Sequence, residues 1–266
     1  MCLSVGILSF CLLLLLLAGC GSLSRGQAVR PGSQLPASRQ LTYVAIGASD
    51  SFGIGADDPY RENWPTVLAA KLGPRVHLIN LGVPEMLVHR ALGIELPVAL
   101  DTHPNLVTVW LAVNDLAADV PVDSYSHDLD LMLSRLQAAM PQARIAVGNV
   151  PDLTLVPHFS SFDQEALRQQ TLAYNAAIDE IVKRHHDILV DLYAHGYDLA
   201  NHPEYISIDG FHPNTAGYEH LAGVFYQALQ AAGVVKDLRK LSSGTGMAPD
   251  MAPTRGATTM DGPAKA

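Results

Sequence analysis

The segment Leu41-Thr42-Tyr43-Val44-Ala45-Ile46-Gly47-Ala48-Ser49-Asp50-Ser51 joins an apolar run to a group of small and polar residues. The run 41–46 shows little alternation of polar and apolar positions, which is typical of a strand buried on both faces. The glycine and polar residues that follow predict a sharp turn into a helix. A serine at such a turn fits two roles: Ser49 is either a helix cap or a nucleophile at a strand end.

Strand-like and helix-like segments alternate through the rest of the chain. Amphipathic helical periodicity is clearest in two segments, from Tyr125 to Met140 and from Leu167 to Ile181. The other predicted elements are strands at residues 75–81, 105–112, 143–150 and 187–192 and helices at residues 64–72, 86–95 and 214–232. This order predicts an α/β fold, a doubly wound five-stranded parallel sheet with helices on both faces.

The first twenty residues have the character of an export signal. Residues 3–18 are almost entirely apolar but too short for a comfortable membrane span. They end in Leu17-Ala18-Gly19-Cys20, which resembles a bacterial lipobox, and this resemblance implies lipidation at Cys20. We therefore expect a signal peptide at residues 1–19 and an extracytoplasmic, membrane-anchored body. A plain signal peptide, giving a secreted protein, and a single membrane anchor are the alternatives.

Composition sets the limits of the folded domain. Residues 20–40 are rich in Gly, Ser, Pro and Arg and read as a flexible tether. Residues 41–233 form the predicted domain, and residues 234–266 form a short extension with a C-terminal tail that is disordered from Ser242.

Charge and cysteine content exclude several classes of function. The net charge of −9 and the lack of a basic run argue against a nucleic-acid partner. All three cysteines lie within the first twenty residues, so the body has no disulfide, thiol nucleophile or cysteine-based zinc site. Histidines in a metal-binding motif such as H-E-x-x-H do not occur either.

Small, amide and acid–base residues follow the predicted strands, where an open parallel sheet binds its ligands. Gly82 follows the second strand, Asn114 the third, and Asp209 and His212 the fifth. Together with Ser49 they supply the parts of a serine acyl-transfer site. Ser49 would be the nucleophile, His212 the base and Asp209 the acid that orients it. The backbone N–H groups of Ser49 and Gly82 and the Asn114 amide would bind the oxyanion.

These residues, in this order, resemble the SGNH hydrolases, the GDSL family of lipases and esterases. The four matching blocks are Gly47-Ala48-Ser49-Asp50-Ser51, Asn80-Leu81-Gly82, Ala112-Val113-Asn114-Asp115 and Asp209-Gly210-Phe211-His212-Pro213. The resemblance covers roughly residues 41–233. It implies a flavodoxin-like sheet and ester hydrolysis through an acyl-enzyme, with no metal or other cofactor.

Two positions depart from the family pattern, and several roles stay open. Ala48 stands where the family has an acid before the serine, and Ala112 replaces a glycine. Ser51 is an alternative nucleophile. Asp50 and Asp115 have the default role of helix caps, Asp115 also being suited to bracing the site loop, and Asn114 fits a cap as well.

The substrate is narrowed by one apolar segment and otherwise open. Residues 151–159 follow the fourth strand, are interrupted by proline, and form either packed loop or the wall of an acyl pocket. A wall of this kind favours small or medium acyl esters; lysophospholipids, thioesters and acetylated polysaccharides remain possible substrates. The rival hypothesis is a surface lipoprotein that uses an inactive esterase fold as a binding module. Oligomeric state is not indicated.

Overall fold

A computed structural model of the protein describes residues 40–196 and 198–243, which belong to one compact unit, Ala37–Ala266. Its centre is a parallel five-stranded sheet with the strand order β2-β1-β3-β4-β5. The strands are β1 Leu41–Gly47, β2 Val76–Asn80, β3 Leu106–Trp110, β4 Arg144–Gly148 and β5 Ile188–Val190. The predicted α/β class, strand number and parallel arrangement are confirmed.

Helices cover both faces of the sheet. They are α1 Ser49–Phe52, α2 Trp64–Leu72, α3 Val88–Asp101, α4 Val113–Ala117, α5 Val122–Ala139, α6 Gln164–His185, α7 Leu192–His195, α8 Thr215–Ala231 and α9 Val234–Ser243. Helices α2, α8 and α9 pack on one another on one face, and α3, α5 and α6 pack together on the other. Within the described ranges, no helix has both the length and the apolar character needed to cross a bilayer.

Strand β1 lies between β2 and β3, and its burial follows from its sequence. Tyr43, Val44 and Ile46 are almost completely inaccessible, because apolar side chains leave the strand on both faces and meet a helical layer on each. Tyr43 buries a hydroxyl as well, and its oxygen lies 2.9 Å from the Thr108 hydroxyl on β3. The apolar sequence of β1 therefore agrees with the position of this strand in the interior of the sheet.

The observed elements differ from the predicted ones mainly at their ends. The helix expected at residues 86–95 runs over Val88–Asp101, although it contains Pro97. Residues 234–243, expected as a short extension, form helix α9, whose Val234, Val235 and Leu238 are buried in the core. The tail expected to be disordered from Ser242 thus begins inside a helix, and its remainder lies outside the described residues, as do the signal segment and most of the tether.

An aromatic cluster fixes helices α2 and α8 to the sheet. The rings of Trp64 and Phe225 stack with centroids 4.1 Å apart, and Trp110 meets Trp64 edge-on at 6.0 Å. Both tryptophans are buried core residues. The cluster lies against Gly148 on β4, where an added Cβ would be 3.2 Å from the Phe225 ring.

Truncating Phe225 tests this cluster. Phe225→Ala removes a fully buried ring from a stack, so we expect the free energy of unfolding to fall by about 3–5 kcal/mol. Leu172→Ala is the control, since Leu172 is 41% exposed on α6 and its loss should cost less than about 1 kcal/mol. Urea denaturation of both variants measures the difference, and equal losses would contradict the assignment.

Candidate active site

The predicted nucleophile begins helix α1 directly beyond β1. Ser49 is the first residue of α1 and is 6% exposed. The N-cap position belongs to Ala48, which has no side chain able to accept a hydrogen bond. Ser49 is therefore not the cap of its own helix. Its backbone N–H lies in the first turn, where N–H groups have no intrahelical acceptor and point outward.

Ser51 has a different environment from Ser49. Its side chain is completely buried, and a Cβ added to Gly47 would lie 2.0 Å from its Oγ. The hydroxyl is thus enclosed between α1 and the end of β1, where a substrate has no access. This burial argues against Ser51 as an alternative nucleophile and explains why position 47 requires glycine.

The Asp209–His212 turn holds the imidazole through several hydrogen bonds. His212 Nδ1 lies 2.7 Å from Asp209 Oδ2. Asp209 Oδ1 accepts hydrogen bonds from the backbone N–H groups of Phe211 and His212, at 2.8 and 2.9 Å. Gly210, with φ of 73°, makes this tight turn possible. The structure thus brings the predicted acid and base together in one rigid loop.

Ser207 is a member of this loop that sequence reasoning did not single out. Its hydroxyl donates to Asp209 Oδ1 at 2.8 Å, and its backbone N–H donates to the His212 carbonyl at 2.8 Å. Partial burial raises the pKa of Asp209, but the hydrogen bonds from His212, the two backbone N–H groups and Ser207 outweigh it and hold the pKa well below its usual range. A serine two residues before an aspartate in a turn was the available signal.

The second nitrogen of the imidazole is free to act as a base. With Nδ1–H donating to Asp209, Nε2 carries the lone pair. Nε2 is buried and has no hydrogen-bond partner among the described residues. The His212 side chain is 13% exposed, so this nitrogen is largely shielded from solvent.

Residues 53–62 connect the nucleophile turn to the His212 loop. Gly55, with φ of 97°, lies so close to this loop that an added Cβ would be 2.4 Å from the Pro213 carbonyl oxygen and 3.1 Å from His212 Cβ. The Tyr218 hydroxyl donates to the Ile54 carbonyl at 2.5 Å. The Thr215 hydroxyl donates to Glu62 at 2.8 Å. These contacts fix the distance between the two halves of the site.

Gly55→Ala should separate the two halves. Its Cβ would overlap the Pro213 carbonyl, and a displacement of about 1 Å at a catalytic loop costs roughly 10²-fold in rate. Gly73→Ala is the matched control, because Gly73 also has positive φ but nothing lies within 4 Å of its added Cβ. Ester-hydrolysis assays on both folded variants measure the effect. Comparable activity in the two would show that Gly55 has no such role.

Gly82 serves a packing role that differs from the one expected. An added Cβ at Gly82 would lie 2.7 Å from Ser51 Cβ and from the Phe52 N, so it is the α1 backbone, not a substrate, that approaches this glycine. Its N–H donates to Asn80 Oδ1 at 3.1 Å. The proposed oxyanion donor at Gly82 is therefore already hydrogen-bonded. The Asn80 amide also donates to the Ser51 carbonyl at 2.6 Å and so ties this loop to α1.

Asn114 and Asp115 connect the loop after β3 to the loop after β2. The Asn114 amide donates to the Met86 carbonyl at 3.1 Å, which uses one of its two N–H bonds. Asp115 is buried and accepts from the Val88 N–H at 3.2 and 3.3 Å. Asp115 thus caps α3 rather than its own helix and braces the site. Burial raises its pKa to about 6.

Asp50 interacts electrostatically, through its carboxyl group, with Asp209 and His212. It is 9% exposed and lies in a small cavity with Asn114 and Ala112. Burial raises the pKa of Asp50 to about 6; attraction to His212 opposes the rise and repulsion by Asp209 adds to it. Asp50 therefore interacts electrostatically with both, although the sequence indicated only a local cap. The structure gives no physical account of Ala48.

A buried carboxyl beneath the nucleophile turn was not anticipated. Glu95 on α3 is 1% exposed, and its Oε1 accepts from the Gly47 N–H at 3.4 Å. Its Oε2 has no partner within the described residues. Burial raises the pKa of Glu95 to about 8, and the Gly47 hydrogen bond opposes this only in part. A glutamate on the apolar face of a predicted helix was the signal in the sequence.

Glu95 makes stability depend on pH. A glutamate in the unfolded chain loses its proton near pH 4.5, whereas folded Glu95 keeps its proton to about pH 8. The contribution of Glu95 to stability is therefore fully present below about pH 4.5 and declines as pH rises toward about 8, by up to about 1.4 kcal/mol per unit. Asp50 and Asp115 act in the same direction only below about pH 6.

Glu95→Gln should flatten this decline. The amide oxygen still accepts from Gly47, but no proton is lost, so the free energy of unfolding should change little between pH 6 and pH 8. Denaturant titrations at both pH values measure it, with Glu219→Gln, on the exposed surface of α8, as control. A decline of equal steepness in wild type and Glu95→Gln would contradict the assignment.

The apolar segment after β4 packs against the His212 loop. It forms two 3₁₀ turns, Leu153–Leu155 and Pro157–Phe159. The His158 N–H donates to the Gly210 carbonyl at 2.8 Å, and Phe159 is buried. Leu155 is 46% exposed. The packed-loop role is thus confirmed for the inner side of the segment, and the acyl-pocket wall stays a prediction that rests on the exposed Leu155.

Sequence comparison agrees with this arrangement. A model of the GDSL-like lipase/acylhydrolase family matches residues 43–220, a range that includes all the site residues described above. The chain belongs to this family. It is a serine hydrolase acting on esters. A comparison with curated protein sequences gives no match.

Solved structures share the fold at low sequence identity. The psychrotrophic esterase EstA from Pseudoalteromonas sp. is 19% identical with a TM-score of 0.58, over 72% of this chain and 98% of that one. A family 3 carbohydrate esterase from Clostridium thermocellum is 18% identical with a TM-score of 0.58, over 76% and 98%. At these identities the similarity establishes the fold alone.

Proposed function

We propose that this chain is an extracytoplasmic esterase, held at a membrane by lipid on Cys20, that cleaves acyl esters through an acyl-enzyme on Ser49. The observation that supports this most strongly is the Asp209–His212 pair, whose Nε2 has no partner among the described residues and whose loop packs against Gly55, shortly after the Ser49 turn. Family membership supports ester hydrolysis, and the site geometry suggests how this chain performs it.

In the proposed first step, Ser49 Oγ attacks the ester carbonyl while His212 Nε2 takes its proton. Asp209, kept ionised by its four hydrogen bonds, stabilises the imidazolium that forms. The alcohol leaves with the proton from His212. Water, deprotonated by the same nitrogen, then attacks the acyl-enzyme and releases the acid.

The oxyanion needs hydrogen-bond donors, and two candidates lie at the start of α1 and in the segment that follows β3. The Ser49 N–H lies at a helix N-terminus, and Asn114 has a second amide N–H beyond the one bound to Met86. We rank these two above Gly82, because Gly82 would have to release Asn80 first.

The substrate that we favour is an ester with a small or medium acyl chain. Leu155, Phe162 and Ile208 are exposed apolar residues on the two segments that meet at the His212 loop. An acyl chain can cover them, whereas a sugar acetate offers little apolar surface. Hydrolysis of p-nitrophenyl esters from acetyl to long-chain acyl groups tests the preference.

Ser49→Ala should lower kcat by about 10³-fold or more, because the nucleophile is lost. Asp209→Asn should lower it by roughly 10²–10⁴-fold, because the acid no longer orients His212. Ser51→Ala is the matched control and should keep activity within a few-fold, since Ser51 is enclosed.

A fluorophosphonate probe gives an independent readout of the same proposal. Labelling of wild type and Ser51→Ala but not of Ser49→Ala supports Ser49 as nucleophile. If the folded wild type is neither labelled nor active on any ester, the rival role as a binding module is correct instead.

Lipidation at Cys20 has its own test. Expression in a bacterium fed radiolabelled palmitate should label wild type and leave Cys20→Ala unlabelled. If neither protein is labelled and the wild type is found in the medium, the hypothesis of a lipid anchor is wrong and the protein is secreted.

A further inference from the structure

One face of this acidic protein is basic. We define the basic face as Lys71, Arg75, Lys236, Arg239 and Lys240, all of which are exposed. Two neighbouring clefts join these residues. One is lined by Lys71, Arg75 and Arg239, and the other by Arg75, Arg239, Lys236 and Lys240. The whole chain carries a net charge of −9, so this concentration of cations runs against its overall charge.

The basic face lies at the amino-terminal ends of the strands, and the active site lies at their carboxyl ends. Arg75 immediately precedes β2, and its carbonyl accepts from the N–H of Leu41, the first residue of β1. Ser49 follows the other end of β1. A seven-residue strand is about 23 Å long, so the basic face and the nucleophile are separated by roughly that distance.

Carboxylates do little to neutralise this face. Asp237, the acid on α9, pairs with Arg144 at 3.6 Å. Arg239 donates to the Tyr226 hydroxyl at 3.3 Å, a neutral partner. Within the described ranges, Lys71, Arg75 and Lys236 form no ion pair. Lys71, Arg75 and Lys236 are therefore available to an external anion.

The tether enters the domain at the same place. Residues 21–40 contain Arg25, Arg30 and Arg39 and no Asp or Glu, and Gln40 leads directly into β1. Leu41 itself lines the cleft formed with Lys71 and Arg75. A tether with net positive charge thus joins the domain at a strand whose first residue lines one of the basic clefts.

We propose that the basic face binds the surface of an anionic phospholipid bilayer, so that the esterase stands with its active-site edge directed away from the membrane that anchors it. This inference rests on the proposed lipid anchor. It implies substrates that approach from the aqueous side rather than phospholipids of the anchoring bilayer.

Electrostatics supports one orientation over the others. Each Lys or Arg near an anionic surface strengthens partitioning by roughly fivefold, within a Debye length of about 8 Å. The remainder of the body is acidic and is repelled by the same surface. A tethered domain therefore has its lowest free energy when the basic face is directed toward the anionic membrane surface.

Vesicle binding tests the surface directly. Residues 37–266 contain the whole described core, from Leu41 to Leu238, and can be produced without the anchor. Sedimentation with vesicles of phosphatidylglycerol and phosphatidylcholine, and of phosphatidylcholine alone, at low salt, should show at least tenfold tighter binding to the anionic vesicles. Binding that does not depend on the anionic lipid would overturn the proposal.

Charge reversal locates the binding surface. Lys71→Glu/Arg75→Glu/Lys236→Glu should reduce anionic-vesicle binding by roughly tenfold or more. The matched control is Arg61→Glu/Arg90→Glu/Arg168→Glu, which changes net charge equally at exposed positions near helix starts, on the active-site side. Equal loss in both triples would show an effect of net charge alone and sink the inference.

Orientation is measured on the tethered full chain. The described residues lack cysteine, so Gln230→Cys, beside the basic face, or Leu155→Cys, beside the site, gives one label in the body. In the lipidated protein, an environment-sensitive dye should shift to shorter wavelength on anionic vesicles at position 230 only. A shift at 155 instead would reverse the orientation. The loss of ester hydrolysis in Ser49→Ala is measured independently of these membrane experiments. It therefore tests the proposed esterase function separately from the proposed orientation.

Discussion

The parallel pairing of β1 with β3 is the constraint on which the rest of this structure depends. The chain passes from β1 through β2 to β3, so the crossovers leave β1 toward opposite faces of the sheet. A crevice opens where they diverge, at the carboxyl ends of the two strands. Ser49 and Asn114 reach one site because they follow these two neighbours. Burial of β1 on both faces fixes the register that aligns them.

The site is built at a cost in stability. Asp50, Glu95 and Asp115 are buried carboxyls with raised pKa values, and two of them contact backbone N–H groups of the loops that carry the site. Buried acids oppose folding because the charged form loses its hydration. Glu95 and Asp115 nevertheless accept hydrogen bonds from backbone N–H groups that no apolar side chain could bind. The buried carboxyls thus lower the stability of the fold while they hold a few backbone groups of the site in position.

The acid–base loop is almost independent of the sheet. Asp209, Ser207 and the backbone of Phe211 and His212 satisfy one another within six residues, so the imidazole is oriented locally. What the loop lacks is a fixed distance to the nucleophile. Gly55 and the contacts of Tyr218 and Thr215 supply it.

The sequence alone determined the layered fold and the residue types of the site. Strand runs without polar alternation require burial on both faces, and the D-x-x-H turn closes within one loop, so both were predictable from local pattern. Tertiary structure alone decided the rest. Ser51 and Ser49 are equivalent in sequence, yet packing against Gly47 encloses the first and leaves the second at a helix start. Gly82 was predicted as an oxyanion donor, and only the folded chain shows that its N–H is hydrogen-bonded to Asn80. Glu95 and α9 were assigned no role, because their partners lie far away in sequence, and only the folded chain brings them together.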